Sequence, residues 1–273
     1  AVKEAKKSGL AVFVLGGGTN LLISDAGFDG LILKSSLNFL EVRKGTIRAG
    51  AGATMSDILN LAIKAGLSGL EWAGGLPGTL GGAIRGNAGA FGGEIKDVVA
   101  NTLSFDTETG ETITRNNSDC NFAYRSSIFK ESGGKEIILS ATIALKNGDA
   151  LKIARAIQEK VDYRLSRHPM EYPNIGSIFK NVDLKKIHKD IHSQFAHVVK
   201  TDPFPVVPTA YLISEAGLKG VSFGGAMISP KHPNFIINSL EAKATDVKNL
   251  IELIKSEIKN KFGLKLEEEV IEL

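Results

Sequence analysis

Residues 74–93 read GGLPGTLGGAIRGNAGAFGG, a stretch with nine glycines in twenty residues and one charged side chain, Arg85. Apolar residues recur through the stretch at intervals typical of a packed core, at Leu76, Leu80, Ile84 and Phe91. Glycine at such positions lets main-chain N–H groups approach a bound group closely, where any Cβ would collide. The pattern therefore predicts a close-fitting main-chain surface, in place of a flexible linker.

A second glycine-rich turn, LGGGTN at residues 15–20, directly follows the apolar run 11–15. Neither turn contains G-x-G-x-x-G or G-K-[ST], so the spacings of the Rossmann fingerprint and of the P-loop are both absent. Thr19 and Asn20 can add side-chain hydrogen bonds to a phosphate. Two glycine-rich turns with few acids nearby predict a cradle for a large phosphate-bearing ligand, and two purely structural turns are the alternative.

Length and composition are those of a soluble globular protein with one large or two ordinary domains, at 273 residues, 43% apolar and 23% charged. The longest apolar runs fall short of the roughly 18 residues of a membrane span. The net charge of +3 comes without a basic tract, which disfavours nucleic acid as a partner. Cys120 is the only cysteine and no signal-peptide pattern opens the chain, so we expect a cytoplasmic protein without disulfides.

Many short strands and turns precede longer helices, which predicts an α+β fold without strict βαβ alternation. A change of character near residues 147–150 predicts two domains, 1–148 and 149–273. The first residues, from Ala1, have the pattern of the end of a helix. We therefore expect an N-terminal part of the first domain to precede Ala1. Predicted helices include 56–65 (capped by Ser56 or Thr54), 150–167, 209–216 and one from a cap at Thr245 to Gly263. Predicted strands of the second domain include 177–181, 220–229, 235–238 and 267–273.

Arg125, Ser177 and Glu269 are candidates for chemistry on an anionic substrate. Arg125 lies between apolar neighbours in FAYRSSIFK, a setting that holds a guanidinium for carboxylate binding, although a lone arginine is more often solvated. Ser177 lacks the G-x-S-x-G spacing of a hydrolase nucleophile, and a turn residue is its alternative role. Alternation in LEEEV sends Glu269 to the face opposite Glu268. If Glu269 faces a cleft, its acidic neighbours favour a protonated carboxyl group that can donate a hydrogen bond.

No metal site is expected. His188 and His192 have the i, i+4 spacing of helical ligands, but only Asp190 is close to them in sequence and no cysteine or further carboxylate has a suitable spacing.

Six segments in order, covering nearly the whole chain, resemble the UDP-N-acetylenolpyruvoylglucosamine reductases, the FAD enzymes of bacterial peptidoglycan synthesis. These segments are VLGGGTNLLISDAGFDGLIL, GLEWAGGLPGTLGGAIRGNAGAFGGEI, FAYRSSIFK, HPMEYPNIGSIFKN, AYLISEAGLKGVSFGGAMISPKHPNFIIN and LEEEV. The resemblance implies a FAD-binding domain of the vanillyl-alcohol-oxidase type followed by an α+β substrate-binding domain, in the compact subtype. The chain departs from the family pattern at Val182, where a proline is usual, and around 206–208, where a basic residue is often found.

The resemblance also implies roles for particular residues. The implied FAD-binding residues are Gly16, Gly17, Gly18, Thr19, Asn20, Leu21, Gly75, Pro77, Gly78, Thr79, Gly81, Gly82, Asn87, Gly89, Ala90 and Arg164. Arg125, Ser177 and Glu269 fall on the family's catalytic arginine, serine and glutamate. The implied substrate contacts are Tyr124, Arg167, Lys180 and Asn181.

The implied reaction is the NADPH-dependent reduction of UDP-N-acetylglucosamine enolpyruvate to UDP-N-acetylmuramate, with no obligate protein partner. One alternative is another FAD-dependent oxidase or dehydrogenase of the same fold, acting on an alcohol or hydroxy acid. Such enzymes often attach the flavin through His or Cys, and neither residue lies in the glycine-rich turns. A second alternative is a flavin- or nucleotide-sugar-binding module without turnover, which the co-occurrence of Arg125, Ser177 and Glu269 disfavours.

Overall fold

The computed structural model describes residues 1–273, and its helices and short strands form the α+β class predicted from the sequence. The helices are Val2–Lys7, Met55–Ala65, Leu80–Arg85, Ile128–Glu131, Ala150–Arg167, His192–Phe195, Thr209–Glu215 and Ala244–Phe262. The strands are Ala11–Leu15, Leu21–Leu22, Gly30–Lys34, Leu40–Arg43, Thr46–Gly50, Leu67–Ser68, Gly89–Ala90, Gly93–Glu94, Val99–Asp106, Thr112–Asn116, Glu136–Ala144, Lys146–Asn147, Asn174–Ser177, Val182–Asp183, Val206–Val207, Ser222–Phe223, Ala226–Ile228, Phe235–Asn238 and Ile271–Glu272. None of the helices has the length and apolar character that crossing a membrane requires.

The chain folds into two compact units that are discontinuous in sequence. The first unit is Ala1–Gly18 with Asp29–Tyr163, and the second is Thr19–Phe28 with Arg164–Leu273. The division falls inside the helix Ala150–Arg167, after the predicted boundary at residue 148. The segment Thr19–Phe28 belongs to the second unit because its residues Leu21 and Leu22 pair in parallel with Ile271 and Glu272. The functional boundary between a FAD-binding and a substrate-binding domain stays a prediction.

An antiparallel five-stranded sheet forms the centre of the first unit. Its strand order is Thr112–Asn116, Val99–Asp106, Glu136–Ala144, Thr46–Gly50 and Leu40–Arg43. The helix Met55–Ala65 packs into the same core through an apolar stripe, Met55, Ile58, Leu59 and Ala62. Its limits follow the sequence signals, since the Thr54 hydroxyl accepts the Asp57 N–H at 3.1 Å and Gly66 ends the helix in the left-handed conformation.

A separate parallel pair, Ala11–Leu15 with Gly30–Lys34, stands at the start of the first glycine-rich turn. Leu15 pairs with Lys34, so the carboxyl ends of both strands lie at the same edge. Residues that follow either strand are thereby placed side by side.

The second unit is built on a four-stranded antiparallel sheet and one long helix. The strand order is Asn174–Ser177, Phe235–Asn238, Ala226–Ile228 and Ser222–Phe223. The helix Ala244–Phe262 buries Leu250, Ile251, Ile254 and Ile258 in the core of this unit. The spacing of these four residues is the helical periodicity that predicted the element.

Several predicted elements differ from the observed ones. The predicted strand 177–181 ends at Ser177, because Asn234 hydrogen-bonds both main-chain groups of Phe179 and replaces ladder pairing. The predicted strand 220–229 is a hairpin that turns at Gly224, whose φ is +52°. The predicted strand 267–273 narrows to Ile271–Glu272 with an isolated bridge at Glu268.

The predicted cap of the last helix is also wrong. The helix begins at Ala244, and the amides of Ala244 and Thr245 donate to the carboxylate of Asp25 at 2.6 and 3.0 Å. Thr245 therefore stands inside the first turn, and a residue distant in sequence satisfies the amides that a local cap would satisfy.

Candidate functional site

The two glycine-rich turns of the first unit line one cleft of about 350 Å³. Its lining residues are Gly16, Gly17, Lys34, Gly52, Thr54, Ser56, Leu76, Pro77, Gly78 and Thr79. Five of these residues are among those for which the family resemblance implies FAD binding, namely Gly16, Gly17, Pro77, Gly78 and Thr79. Residues from the first turn and from the 74–93 stretch thus meet, as a shared cradle requires.

The turns approach each other so closely that side chains are excluded. A Cβ added to Gly16 would lie 3.0 Å from the Thr79 hydroxyl, and one added to Gly81 would lie 3.0 Å from the Ala51 Cβ. Met55 N–H donates to the Gly78 carbonyl, which fixes the second turn against the helix that begins there. The amides of Gly17 and Gly18 donate no hydrogen bond within the chain, so they are available to an anionic group.

Lys34 is the one lining residue with a full charge, and it is not among the residues predicted from the sequence. It ends the strand Gly30–Lys34, whose parallel pairing with Ala11–Leu15 brings it beside Gly16. An ammonium group beside free glycine amides suits a phosphate. Its signal in the sequence is only the end of an apolar strand, because nothing local reveals that the two strands pair in parallel.

The same unit holds two buried polar atoms without hydrogen-bond partners, Trp72 Nε1 and Glu94 Oε1. Trp72 lies against the hairpin formed by Gly89–Ala90 and Gly93–Glu94, since a Cβ on Gly93 would collide with its ring. The Glu94 side chain lies within the hairpin, against Gly89. The Gly17 and Gly18 amides and Lys34, in contrast, line the cleft or its edge and suit the pyrophosphate of FAD.

Arg125 is anchored to this hairpin. Its Nη2 donates to the Gly89 carbonyl at 3.0 Å, and its guanidinium lies 5.1 Å from the Tyr124 ring centroid. The main chain of Arg125 has φ +56°, in the left-handed region that favours glycine. The predicted clamp residue is therefore held beside predicted flavin contacts by a conformation that it would not adopt alone.

In the second unit, the structure brings Ser177 and Glu269 onto neighbouring segments. Glu269 N–H donates to the carbonyl of Ile178, the residue after Ser177, at 2.8 Å. Asn20 braces the same segment, because its Nδ2 donates to the Glu269 carbonyl at 2.9 Å and its own carbonyl accepts from Ile271. Glu268 forms an ion pair with Lys255, whereas Glu267 pairs with Lys180.

The predicted substrate contacts of the second unit also bond within the chain. Lys180 Nζ lies 3.4 Å from the Glu267 carboxylate. Lys186 also pairs with this carboxylate, and the hydrogen bond from Lys186 is the main cause that lowers the pKa of Glu267. Asn181 Oδ1 accepts the N–H of Thr209, at the start of the helix Thr209–Glu215. The Asn181 Nδ2 donates no hydrogen bond within the chain, which leaves a donor for a ligand.

Two imidazoles stand beside the strand that carries Ser177. Phe235 pairs with Ser177, and its ring lies 5.0 Å from the His168 ring and 4.8 Å from the His232 ring. Burial is the main cause that lowers the pKa of both histidines to about 4, and mutual repulsion adds to it at His168. Both rings are neutral at pH 7.

The remaining predicted site residues have varied surroundings. Thr19, Asn20 and Leu21 belong to the second unit, where Leu21 is buried and paired with Ile271. Arg164 and Arg167 stand in the last turn of the helix Ala150–Arg167. Gly75, Gly82 and Ala90 lie in the glycine-rich stretch without lining the cleft. The His188 ring pairs with the exposed Asp190, and no group of at least three His, Cys, Asp or Glu side chains is arranged for a metal.

Comparison with known proteins matches both ends of the chain to family models. Residues 1–115 match the FAD binding domain, and residues 168–273 match the C-terminal domain of UDP-N-acetylenolpyruvoylglucosamine reductase. The UDP-N-acetylenolpyruvoylglucosamine reductases of Caldanaerobacter subterraneus subsp. tengcongensis and Clostridium tetani are 41% and 35% identical to the chain. These alignments cover 94% and 99% of this chain and 78% and 80% of those relatives.

A solved structure agrees over the whole length. The crystal structure of UDP-N-acetylenolpyruvylglucosamine reductase from Thermus caldophilus has a TM-score of 0.77 at 27% identity, covering 100% of this chain and 89% of that one.

Proposed function

The chain belongs to the UDP-N-acetylenolpyruvoylglucosamine reductase family, and we propose that it reduces UDP-N-acetylglucosamine enolpyruvate to UDP-N-acetylmuramate with NADPH as co-substrate. The observation that carries the proposal is 41% identity to such a reductase across 94% of the chain. The chain is a FAD-dependent oxidoreductase, as predicted, and the FAD-binding domain precedes the family's C-terminal domain. The first unit supplies residues that fit FAD.

Bound FAD supplies hydride transfer, from NADPH to the vinyl carbon of the enolpyruvyl group. The chain's own task in the cleft is to hold the dinucleotide. The Gly17 and Gly18 amides and Lys34 suit its pyrophosphate, and the absence of side chains at Gly16 and Gly81 keeps the turns close together.

Arg125 acts on the charge that develops during reduction. Hydride addition at the vinyl carbon pushes electron density toward the substrate carboxylate, and a guanidinium binds such a group through two parallel N–H bonds. Its anchoring to Gly89 holds it in place before the reaction, so little reorganisation is needed. Preorganised donors of this kind are commonly worth about 3–4 kcal/mol of transition-state stabilisation each.

Ser177 and Glu269 complete the reaction on the proposed substrate. Ser177 delivers the proton to C2 as carbanion character develops there, so that hydride and proton together saturate the double bond. Glu269 contributes its carboxyl group to binding the enediolate-like species. The main-chain hydrogen bond from Glu269 to Ile178 supports joint action, because it fixes the backbone of Glu269 beside the residue that follows Ser177.

The partners and location follow from this chemistry. A UDP-sugar enolpyruvyl ether and NADPH are small molecules of the cytoplasm, which is where we place the protein. No protein partner, nucleic acid or membrane is needed for the reaction.

An anaerobic absorption titration of the purified protein with FAD tests the proposal. We expect a yellow protein that NADPH bleaches and that the enolpyruvyl sugar then restores, because the substrate takes the hydride. Bleaching without restoration would leave a flavoprotein of another activity. Rapid oxygen consumption by the reduced protein would favour the oxidase alternative, and a spectrum insensitive to NADPH would favour a binding module.

A further inference from the structure

Arg125 occupies a tight two-residue turn in the first unit. Ala123 and Ser126 exchange both main-chain hydrogen bonds across the turn, each at 3.0 Å. Arg125 inside it has φ +56°. A side chain with a Cβ adopts this conformation at a cost in free energy, and such strain persists only where the surroundings over-determine it. The surroundings of this turn therefore decide where the guanidinium points.

Asn87 supplies one of those constraints from the 74–93 stretch. Its side chain is fully buried, and its Nδ2 donates to the Ala123 carbonyl at 2.9 Å. At the other end, its Oδ1 accepts the Lys96 N–H at 3.1 Å. Both ends of the amide are thus engaged with main-chain groups, and no surface remains for a ligand.

Two further hydrogen bonds tie the turn to the same stretch. The Ser127 hydroxyl, also fully buried, donates to the Arg85 carbonyl at 2.7 Å. Arg125 Nη2 donates to the Gly89 carbonyl. Asn87 lies between these two attachment points in sequence. The stretch that is expected to hold the flavin therefore also fixes the turn that carries Arg125.

We propose that Asn87 is a positioning residue for Arg125, which it holds ready for the substrate carboxylate by fastening the Ala123 carbonyl. The role deepens the proposed function and rests on it. It differs from the flavin contact that the family resemblance implies for Asn87, because the side chain acts on the turn and not on the cofactor.

Asn117 offers a matched control. Its Nδ2 donates to two main-chain carbonyls, those of Lys96 and Val99, at 2.8 and 2.7 Å. It therefore braces the same neighbourhood as Asn87 and shares Lys96 with it, but it makes no bond to the Arg125 turn. A change from Asn to Asp at either position keeps size and acceptor and removes the donor.

The test compares Asn87→Asp and Asn117→Asp in the FAD-loaded full chain. Amide hydrogen exchange followed by mass spectrometry should show at least tenfold faster exchange at Ala123 and Ser126 in Asn87→Asp only. Stopped-flow absorption should show flavin reduction by NADPH within twofold of the unmodified protein for both variants. Reoxidation by the enolpyruvyl sugar should slow at least tenfold in Asn87→Asp and stay within twofold in Asn117→Asp.

Three results would overturn the role. Equal slowing of both half-reactions with loss of flavin would assign Asn87 to folding or cofactor binding. Unchanged reoxidation would separate the turn from catalysis. Unchanged amide exchange at Ala123 and Ser126 would show that Asn87 does not hold the turn. Failure of the unmodified protein to reduce the sugar would refute the proposed function instead, and the exchange measurement would still test the role of Asn87.

Ser127→Ala covers the case in which Asn87→Asp does not fold. It removes only the bond to the Arg85 carbonyl, so it should slow reoxidation severalfold and leave reduction unchanged. Equal loss in both half-reactions of Ser127→Ala would contradict the proposal.

Discussion

Asparagines show how far a motif specifies the role of a single residue. Asn20, Asn87 and Asn181 all lie in segments that resemble ligand-binding motifs. In the structure each uses its side chain on the protein itself, with bonds to the Glu269 carbonyl, the Ala123 carbonyl and the Thr209 amide respectively. The motif identified positions that matter, but the partner of each amide comes from a distant part of the chain.

At the residue scale, we expect Ser177→Ala to separate the two half-reactions. Reduction of the flavin by NADPH should be nearly intact, because no proton is delivered to C2 in that step. Reoxidation by the enolpyruvyl sugar should fall by 10²–10⁴-fold, the usual worth of general acid catalysis. Stopped-flow absorption measures both steps. Ser222→Ala, in the same sheet but on an exposed strand, is the control, and equal slowing of both steps by Ser177→Ala would refute the role of proton donor.

Secondary-structure elements were predicted best where the signal is local. The helix Ala150–Arg167 and the strand Phe235–Asn238 have the predicted limits, because apolar periodicity and the following proline or turn residues act within a few positions. The helix Leu80–Arg85 was missed inside the glycine-rich stretch. Glycine is a poor helix former, and this helix is held by bonds from its first residues to Ala53 and Ala51.

At the element scale, Asn234 joins two segments of the second unit. Its buried side chain accepts the Phe179 N–H at 3.1 Å and donates to the Phe179 carbonyl at 2.8 Å. Asn234→Ala leaves both groups unsatisfied, so we expect the free energy of unfolding to fall by about 2–4 kcal/mol. Urea denaturation measures the loss.

Asn238→Ala is the comparison for that variant. Asn238 makes one bond from an exposed position, to the Ala242 amide, so its loss should cost less than about 1 kcal/mol. Losses of similar size for the two variants would contradict the importance of burial at Asn234.

At the scale of the whole molecule, each of the two units is assembled from segments that are not consecutive in the sequence. The segment Thr19–Phe28 belongs with the C-terminal half, although it directly follows the first glycine-rich turn. Asp25 in this segment completes the start of the last helix, and Asn20 braces the segment that carries Glu269. A substitution in this early segment should therefore affect the stability of the second unit.

The stability of the protein should fall as the pH drops from about 6.5 to about 4. His168 and His232 have a folded pKa of about 4, below the ordinary value of 6.5, so in this range the unfolded chain binds protons that the folded chain does not. Their stabilising contribution is full above pH 6.5 and is lost as the pH falls toward 4. Carboxylates with lowered pKa, such as Glu267, lose their contribution only at the acidic end of the range.

Urea midpoints measured between pH 7.5 and 4.5 test this dependence. His232→Gln should flatten the decline, whereas His188→Gln, at an exposed position, should leave it unchanged. A decline of the same steepness in His232→Gln would exclude the His232 imidazole as its cause.

The sequence by itself determined the family, the α+β class, the main helices and the presence of two glycine-rich turns, because each of these depends on local spacing or on ordered motifs. Only the tertiary structure decided that Lys34 joins the cleft, that Asp25 caps a distant helix and that Asn87 holds the Arg125 turn. The physical reason is that hydrogen bonds and close packing depend on which segments meet in space. A parallel strand pair or a buried amide brings together residues that are far apart in the sequence, and no local pattern predicts that contact.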